Sequence, residues 1–285
     1  MSIQIRPQGW YRISRIAAKI GINLVLGVIV FFALIPIYWM IATSFKTEMQ
    51  MISIPPVIFF KPTFQNYINL MMRSRWLLIN LFNSVSITLM TSFLTLFLGS
   101  LAGFAFSRYS FSGENMLAFL ILWTRTLPPI VAIIPLFLWF SKIGLVDTHF
   151  GLVIIYTALN LPFAIWMLKS YFDSVPVELE EAAIIDGCSR LDAFRRITIR
   201  LAAPGMAATA IFVAVLAWNE FLFALIFSSV KAKTMPVITV ESIVEYKLYW
   251  ADMAALGTII MLPILIFSFF IYKRLVSGLT FGSIK

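Results

Sequence analysis

Chemistry-bearing residues are scarce in this 285-residue chain, which has one cysteine, Cys188, and one histidine, His149. A lone cysteine forms no internal disulfide, and structural zinc needs four Cys or His ligands, so neither a disulfide framework nor a metal site is expected. Charge is sparse as well, with 12% Asp, Glu, Lys and Arg, about half of what soluble domains carry. Missing too is any G-x-x-x-x-G-K-[ST] run, the loop whose amides cradle nucleotide phosphates. Nothing resembling a nucleophile and its base emerges, so no catalytic residue is assigned.

What fills the chain is apolar: 61% of residues are hydrophobic and the mean hydropathy is +0.93. That composition belongs to a protein embedded in a lipid bilayer. The net charge of +9 raises the question of nucleic acid, but basic residues flanking apolar runs are the usual mark of membrane topology, and nucleic acid is set aside. A span needs about 20 apolar residues. By that measure 20–44, 80–107, 116–140, 150–169, 201–229 and 254–273 read as six transmembrane helices of one all-α domain covering 1–285. A β-barrel would show alternating segments of about 10 residues, and Val25–Ile37 does not alternate. Arg6, Arg12, Arg15 and Lys19 precede a run without charge from Ile20 to Thr43, too long for a signal-peptide core, so it is read as a retained span.

Six spans place both termini on one side. The two tails and the loops on their side hold 13 Lys and Arg against 8 opposite, with Arg125 inside a span. The positive-inside rule then puts both termini in the cytoplasm and the chain in the cytoplasmic (inner) membrane. Pro36, Pro128, Pro129, Pro135, Pro162 and Pro263 fall within spans and mark kinks. Gly99 and Gly103 form a GxxxG pattern that permits close helix approach.

Two ionisable residues lie inside spans: Arg125 in Trp-Thr-Arg-Thr-Leu-Pro-Pro and Glu220 in Trp-Asn-Glu-Phe. A charge near the bilayer centre costs from about 2.5 to above 10 kcal/mol, so such groups pair, face a bundle interior or line a path. Two readings stay open, a structural Arg125–Glu220 pair and a solute path, to which Thr126, Asn160 and Asn219 would add hydrogen-bonding groups or interhelical links. A self-sufficient secondary transporter with Arg125 and Glu220 as ion-coupled groups is the competing functional class. His149 reads as a loop residue at a span boundary.

The most polar run lies between the fourth and fifth spans, about 174–200, and reads as helix, turn, helix. Pro176 suits a first helical turn and Glu178, Glu180 and Glu181 follow it, where carboxylates meet unpaired backbone amides favourably. Gly187 suits a left-handed helix end. Ser189 with Asp192 three residues on suits the start of a second helix, whose later part carries Arg195, Arg196 and Arg200. Leu179, Ala182, Ala183 and Asp186 share a face, and the two alanines leave room for another protein. A solvated amphipathic loop on the membrane surface is the alternative.

Glu181-Ala182-Ala183, then Gly187 after three residues, then Ile197-Thr198-Ile199 after nine more, resembles the EAA signature of permease subunits of binding-protein-dependent ABC importers. Arg200 stands where that signature has proline, with Pro204 following. Leu161-Pro162-Phe163, Trp218-Asn219-Glu220-Phe221 and the ending Gly278–Lys285 are similar to the carbohydrate-uptake branch, in particular its six-span maltose-type permeases. The resemblance implies a second permease subunit, two cytoplasmic ATPase subunits that bind ATP and Mg, and an extracytoplasmic substrate-binding protein, with no cofactor in this chain. It implies that Glu180, Glu181, Ala182, Ala183, Asp186 and Gly187 couple to an ATPase and that Gly278, Leu279, Thr280 and Gly282 reach its interface. The loop of about 229–252 would meet the substrate-binding protein.

Overall fold

The computed structural model describes residues 8–73, 76–245 and 250–281. In chain order it has α1 (Gln8–Ser44), α2 (Glu48–Ile52), α3 (Gln65–Arg73), α4 (Leu77–Arg108), α5 (Glu114–Trp123), α6 (Pro129–Lys142), α7 (His149–Asp173) and α8 (Val177–Ile185). Then come α9 (Arg190–Ala193), a π-helical turn (Phe194–Thr198), α10 (Ile199–Leu201), α11 (Ala203–Trp218), α12 (Leu222–Phe227), α13 (Met235–Glu245) and α14 (Trp250–Phe281). Among the described residues there is no strand, in keeping with the all-α expectation.

The chain forms two compact units, 1–70 with 248–258 and 71–247 with 259–285. In the first, the part of α1 from residue 18 on exposes nearly all of its apolar side chains, Leu24, Phe31 and Phe32 among them, as a helix meant for lipid or a partner does. Its end is tied down by polar contacts. The Asn66 side-chain amide donates to the carbonyls of Ser44 and Lys46, both at 2.8 Å, and the Ser44 and Tyr67 hydroxyls lie 2.7 Å apart. The Lys46 ammonium sits 4.5 Å from the Trp39 ring centre, a cation–π contact.

In the second unit α4 and α7 are the central pair, with α11 against both. The GxxxG glycines explain the close approach. A Cβ at Gly99 would stand 3.1 Å from the Ala164 Cβ, and one at Gly103 would stand 3.1 Å from both the Ile165 carbonyl oxygen and the Lys169 amide nitrogen. A side chain at either position would press on its neighbours by a few tenths of an ångström, most tightly at Gly103, where the neighbours are backbone atoms of α7. Ile87, Phe140, Leu152, Tyr156, Phe223 and Phe227 form the core at the other end of this pair.

Among the described residues four helices are long and apolar enough to cross a bilayer, Ala18–Ser44, Leu77–Arg108, His149–Asp173 and Trp250–Phe270. In the other two expected spans the helix is interrupted, at the kink read from Pro128 and Pro129 in one and at a break not read from the sequence in the other. In 116–140, Pro128 takes an extended conformation (φ −59°, ψ 126°) and Pro129 opens α6, because neither can donate the amide hydrogen that a through-running helix needs. In 201–229 the helix stops at Trp218 and restarts at Leu222. A bend of 76° separates the segment Arg190–Leu201 from α11.

Candidate functional site

The polar run between α7 and α11 folds as its local chemistry dictates. Glycine 187 adopts φ +92°. Its amide donates to the Ile184 carbonyl and that of Cys188 to the Ala183 carbonyl, each at 3.0 Å, the paired bonds of a Schellman helix end. Cys188 therefore serves this turn through its backbone. The Ser189 hydroxyl accepts from the Asp192 amide at 3.2 Å and donates to the Asp192 carboxylate at 2.6 Å. The same hydroxyl is the main reason that the Asp192 carboxyl is held below the usual carboxylate range.

The second half of the loop is bolted to the helices beneath it. Phe194 places its ring 4.3 Å from that of Phe104 on α4 and 5.9 Å from that of Phe172 on α7. Ala164, Leu168, Val175, Ala202 and Val213 complete this buried cluster. Beside it the Arg108 guanidinium meets the Glu180 carboxylate through Nε at 2.9 Å and Nη2 at 2.8 Å. Nη2 also donates to the Val175 carbonyl, Nη1 to the Ser107 hydroxyl, and the Thr198 hydroxyl donates to the same Glu180 oxygen at 2.7 Å. Side-chain exposure is 8% for Arg108 and 9% for Glu180. Such a carboxylate needs its cation and hydrogen bonds, because an unpaired buried charge is heavily penalised.

This geometry sorts the expected coupling residues. Glu180 is turned inward and corrects the reading that put it among the outward contacts. Glu181, Ala182, Asp186 and Gly187 are exposed and Ala183 is half-buried. Around them Val177, Leu179, Ile184, Ile185 and Leu191 are also exposed, Ile185 at 85%. An apolar patch studded with Glu178, Glu181 and Asp186 on a helix secured from below is a surface suited to a protein partner. Of the tail, Gly278, Leu279 and Thr280 continue α14, with side chains outside those described, and Gly282 lies outside the described residues.

The intramembrane candidates do not form one site. Arg125 lies in the break between α5 and α6, exposed, with its guanidinium 5.6 Å from the Phe163 ring centre. Glu220 lies in the break between α11 and α12, where its carboxylate accepts from the amides of Phe223 and Ala224 at 3.0 and 3.1 Å, capping the N-terminus of α12. Arg108–Glu180, Lys169–Asp173 and Lys233–Glu241 form ion pairs, whereas Arg125 and Glu220, both among the described residues, do not pair with each other. Asn160 is buried and donates to the Tyr156 carbonyl at 2.8 Å. Asn219 and Thr126 are exposed, each bonded to a carbonyl of its own helix, Val215 and Trp123.

A third carboxylate, missed in the sequence, organises the loop that precedes α13. Asp147, at φ +58°, accepts through its carboxylate from the amides of Ser229, Val230, Lys231 and Ala232 at 2.9 to 3.2 Å. Partial burial raises its pKa, but the four amides outweigh this and lower it to about 2. Asn83 on α4 donates to the carbonyls of Lys231 and Lys233, and its side-chain oxygen lies 2.7 Å from His149 Nε2. His149 is thus the first residue of α7 and part of this loop's support. An aspartate just before a span, in Val146-Asp147-Thr148, was the available signal.

Residues 95–281 match the family described as binding-protein-dependent transport system inner membrane component. The chain is 34% identical over 269 residues to the trehalose/maltose transport system permease protein MalG of Thermococcus litoralis, covering 93% of this chain and 96% of that one. It is 33% identical over 263 residues to the trehalose transport system permease protein SugB of Mycobacterium tuberculosis, covering 90% and 94%. Its fold is similar to a chain in the crystal structure of a bacterial ABC transporter involved in alginate import, with TM-score 0.74, 22% identity and coverage of 95% and 99%.

Proposed function

This chain belongs to the family of inner membrane components of binding-protein-dependent transport systems, and from that membership we propose that it is one permease subunit of an ATP-driven importer for a sugar or related polyhydroxylated solute. The sugar class rests on its relatives, which are named for the transport of trehalose and maltose. In this reading α5 with α6, and α11 with α12, each complete one of six crossings, the termini are cytoplasmic, and a second permease completes the path. The chain catalyses no covalent chemistry, and two ATPase subunits bind ATP and Mg. A substrate-binding protein delivers the solute from outside, and the Asp147-supported loop is the surface offered to it.

The observation that carries this reading is α8. Its exposed apolar and acidic face stands on a Schellman turn and a buried ion pair, which suits a lever held by a partner. The tail, from Gly278 on, is assigned to the same partner interface. The test is co-expression with the second permease and the ATPase. The parent chain is expected to copurify with the ATPase, whereas Glu181→Lys and Ile185→Asp each lose it, since both residues face outward and neither supports the fold. Transport by this chain alone, without ATP, would instead establish a secondary transporter.

A further inference from the structure

We infer that Arg108, Glu180 and Thr198 form a linkage that makes the coupling helix α8 and the end of α4 move as one body, with Glu180 a positioning residue for energy transfer rather than a contact to the ATPase. The inference rests on the permease reading above.

Three facts carry it. First, one Glu180 oxygen gathers three donors from two other segments, Nε and Nη2 of Arg108 at the end of α4 and the hydroxyl of Thr198 in the π-helical turn leading toward α11. Second, the Arg108 fork makes two grips, one on Glu180 within α8 and one on the Val175 carbonyl just ahead of it. Two grips on a planar guanidinium fix direction as well as distance. Third, the site is buried, and a buried ion pair adds little net stability over an apolar packing of the same volume. What the pair supplies beyond packing is geometry. The neighbouring Phe104, Phe172 and Phe194 cluster already gives this junction an apolar seal. The π-helical turn is part of the same device. Wide turns of this kind recur at functional sites, and this one carries Thr198, fully buried, to the carboxylate.

The experiment uses the assembled complex in nanodiscs, in a Cys188→Ser background, with spin labels on cysteines replacing Pro176 at the start of α8 and Leu101 on α4. Both positions are exposed, and neither belongs to the docking patch. Copurification of the parent chain with the ATPase tests the permease reading separately, and its failure removes that reading together with the inference. The distance between the labels tests the linkage. In the parent a single narrow distribution is expected, unchanged by ATP with Mg. In Glu180→Gln or Thr198→Val complexes that still contain the ATPase, ATP is expected to shift or broaden it, because α8 then moves without α4. A shift on ATP addition in the parent overturns the inference, and so does parent-like behaviour in both variants. Should Glu180→Gln fail to assemble, Thr198→Val decides alone, since it leaves the ion pair in place and removes one hydroxyl.

Discussion

The two ends of α7 are fastened by carboxylates in opposite ways. Beyond its last turn, Glu180 is buried, paired with the Arg108 guanidinium and hydrogen-bonded by the Thr198 hydroxyl. Ahead of its first turn, Asp147 is partly exposed and held by four consecutive backbone amides, with no cation among its hydrogen-bond partners. Solvent access decides which solution works. A carboxylate out of water needs a full counter-charge, whereas one that water still reaches is satisfied by the partial charges of a backbone nest. The first arrangement ties three segments rigidly. The second shapes one loop and costs less to open.

Breaking the buried end should produce the largest effect. Arg108→Met orphans the Glu180 charge and is expected to destabilise the assembled protein by about 3–5 kcal/mol, read as a fall in melting temperature or in yield. Adding Glu180→Leu should recover most of that loss, because the penalty lies in the orphaned partner. Failure of the double variant to recover would show that the pair is needed for packing as well as charge balance.

At the exposed end the effect should be smaller. Asp147→Ala leaves its amides to water and is expected to cost about 1–3 kcal/mol, seen as faster proteolysis at residues 229–233 with little change in global melting. Asp147 also makes that end sensitive to acid. Its folded pKa, about 2, lies below the ordinary 3.8. Its stabilisation is therefore fully present above pH 3.8 and is lost as pH falls through 2, on the order of 1 kcal/mol after solvent screening. Proteolysis of that loop in Asp147→Asn should show a weaker acid dependence than the parent. An unchanged acid response would place the titrating group elsewhere.

The smallest effect sharpens the comparison within the membrane. Glu220, like Asp147, serves backbone amides, so Glu220→Gln keeps an acceptor at the α12 N-terminus and is expected to cost about 1 kcal/mol or less. With no ion pair to Arg125, the stability losses of Arg125→Met and Glu220→Gln should add to within about 0.5 kcal/mol. Rescue in the double variant, measured by melting of the solubilised complex, would revive the structural pair.

Much of the outline was legible because it depends on neighbours in the chain. Four apolar runs form helices long and apolar enough to cross a bilayer, since a run of that length satisfies its own backbone in lipid. Gly187 and Ser189 ended and began helices as expected, since both acts use atoms within five residues. Pro128 and Pro129 were read as a kink and stand at one break, whereas the break at Glu220 between Trp218 and Leu222 was not read from the sequence. Hydropathy counts apolar side chains and does not register a missing amide hydrogen.

The sequence by itself determined the membrane class, the all-α fold, the helix, Gly187, helix element, and the family, through local spacing and composition. Only the tertiary structure decided which charges meet. Arg108 and Glu180 stand 72 residues apart, and nothing in their immediate surroundings says that one answers the other. Arg125 and Glu220 were candidate partners because both are charges within expected spans, yet Arg125 stands exposed near the Phe163 ring of α7 while Glu220 accepts from two amides at its own helix break. Burial creates the demand for a partner, and the packing of α4 against α7, set by Gly99 and Gly103, determines which partner is in reach.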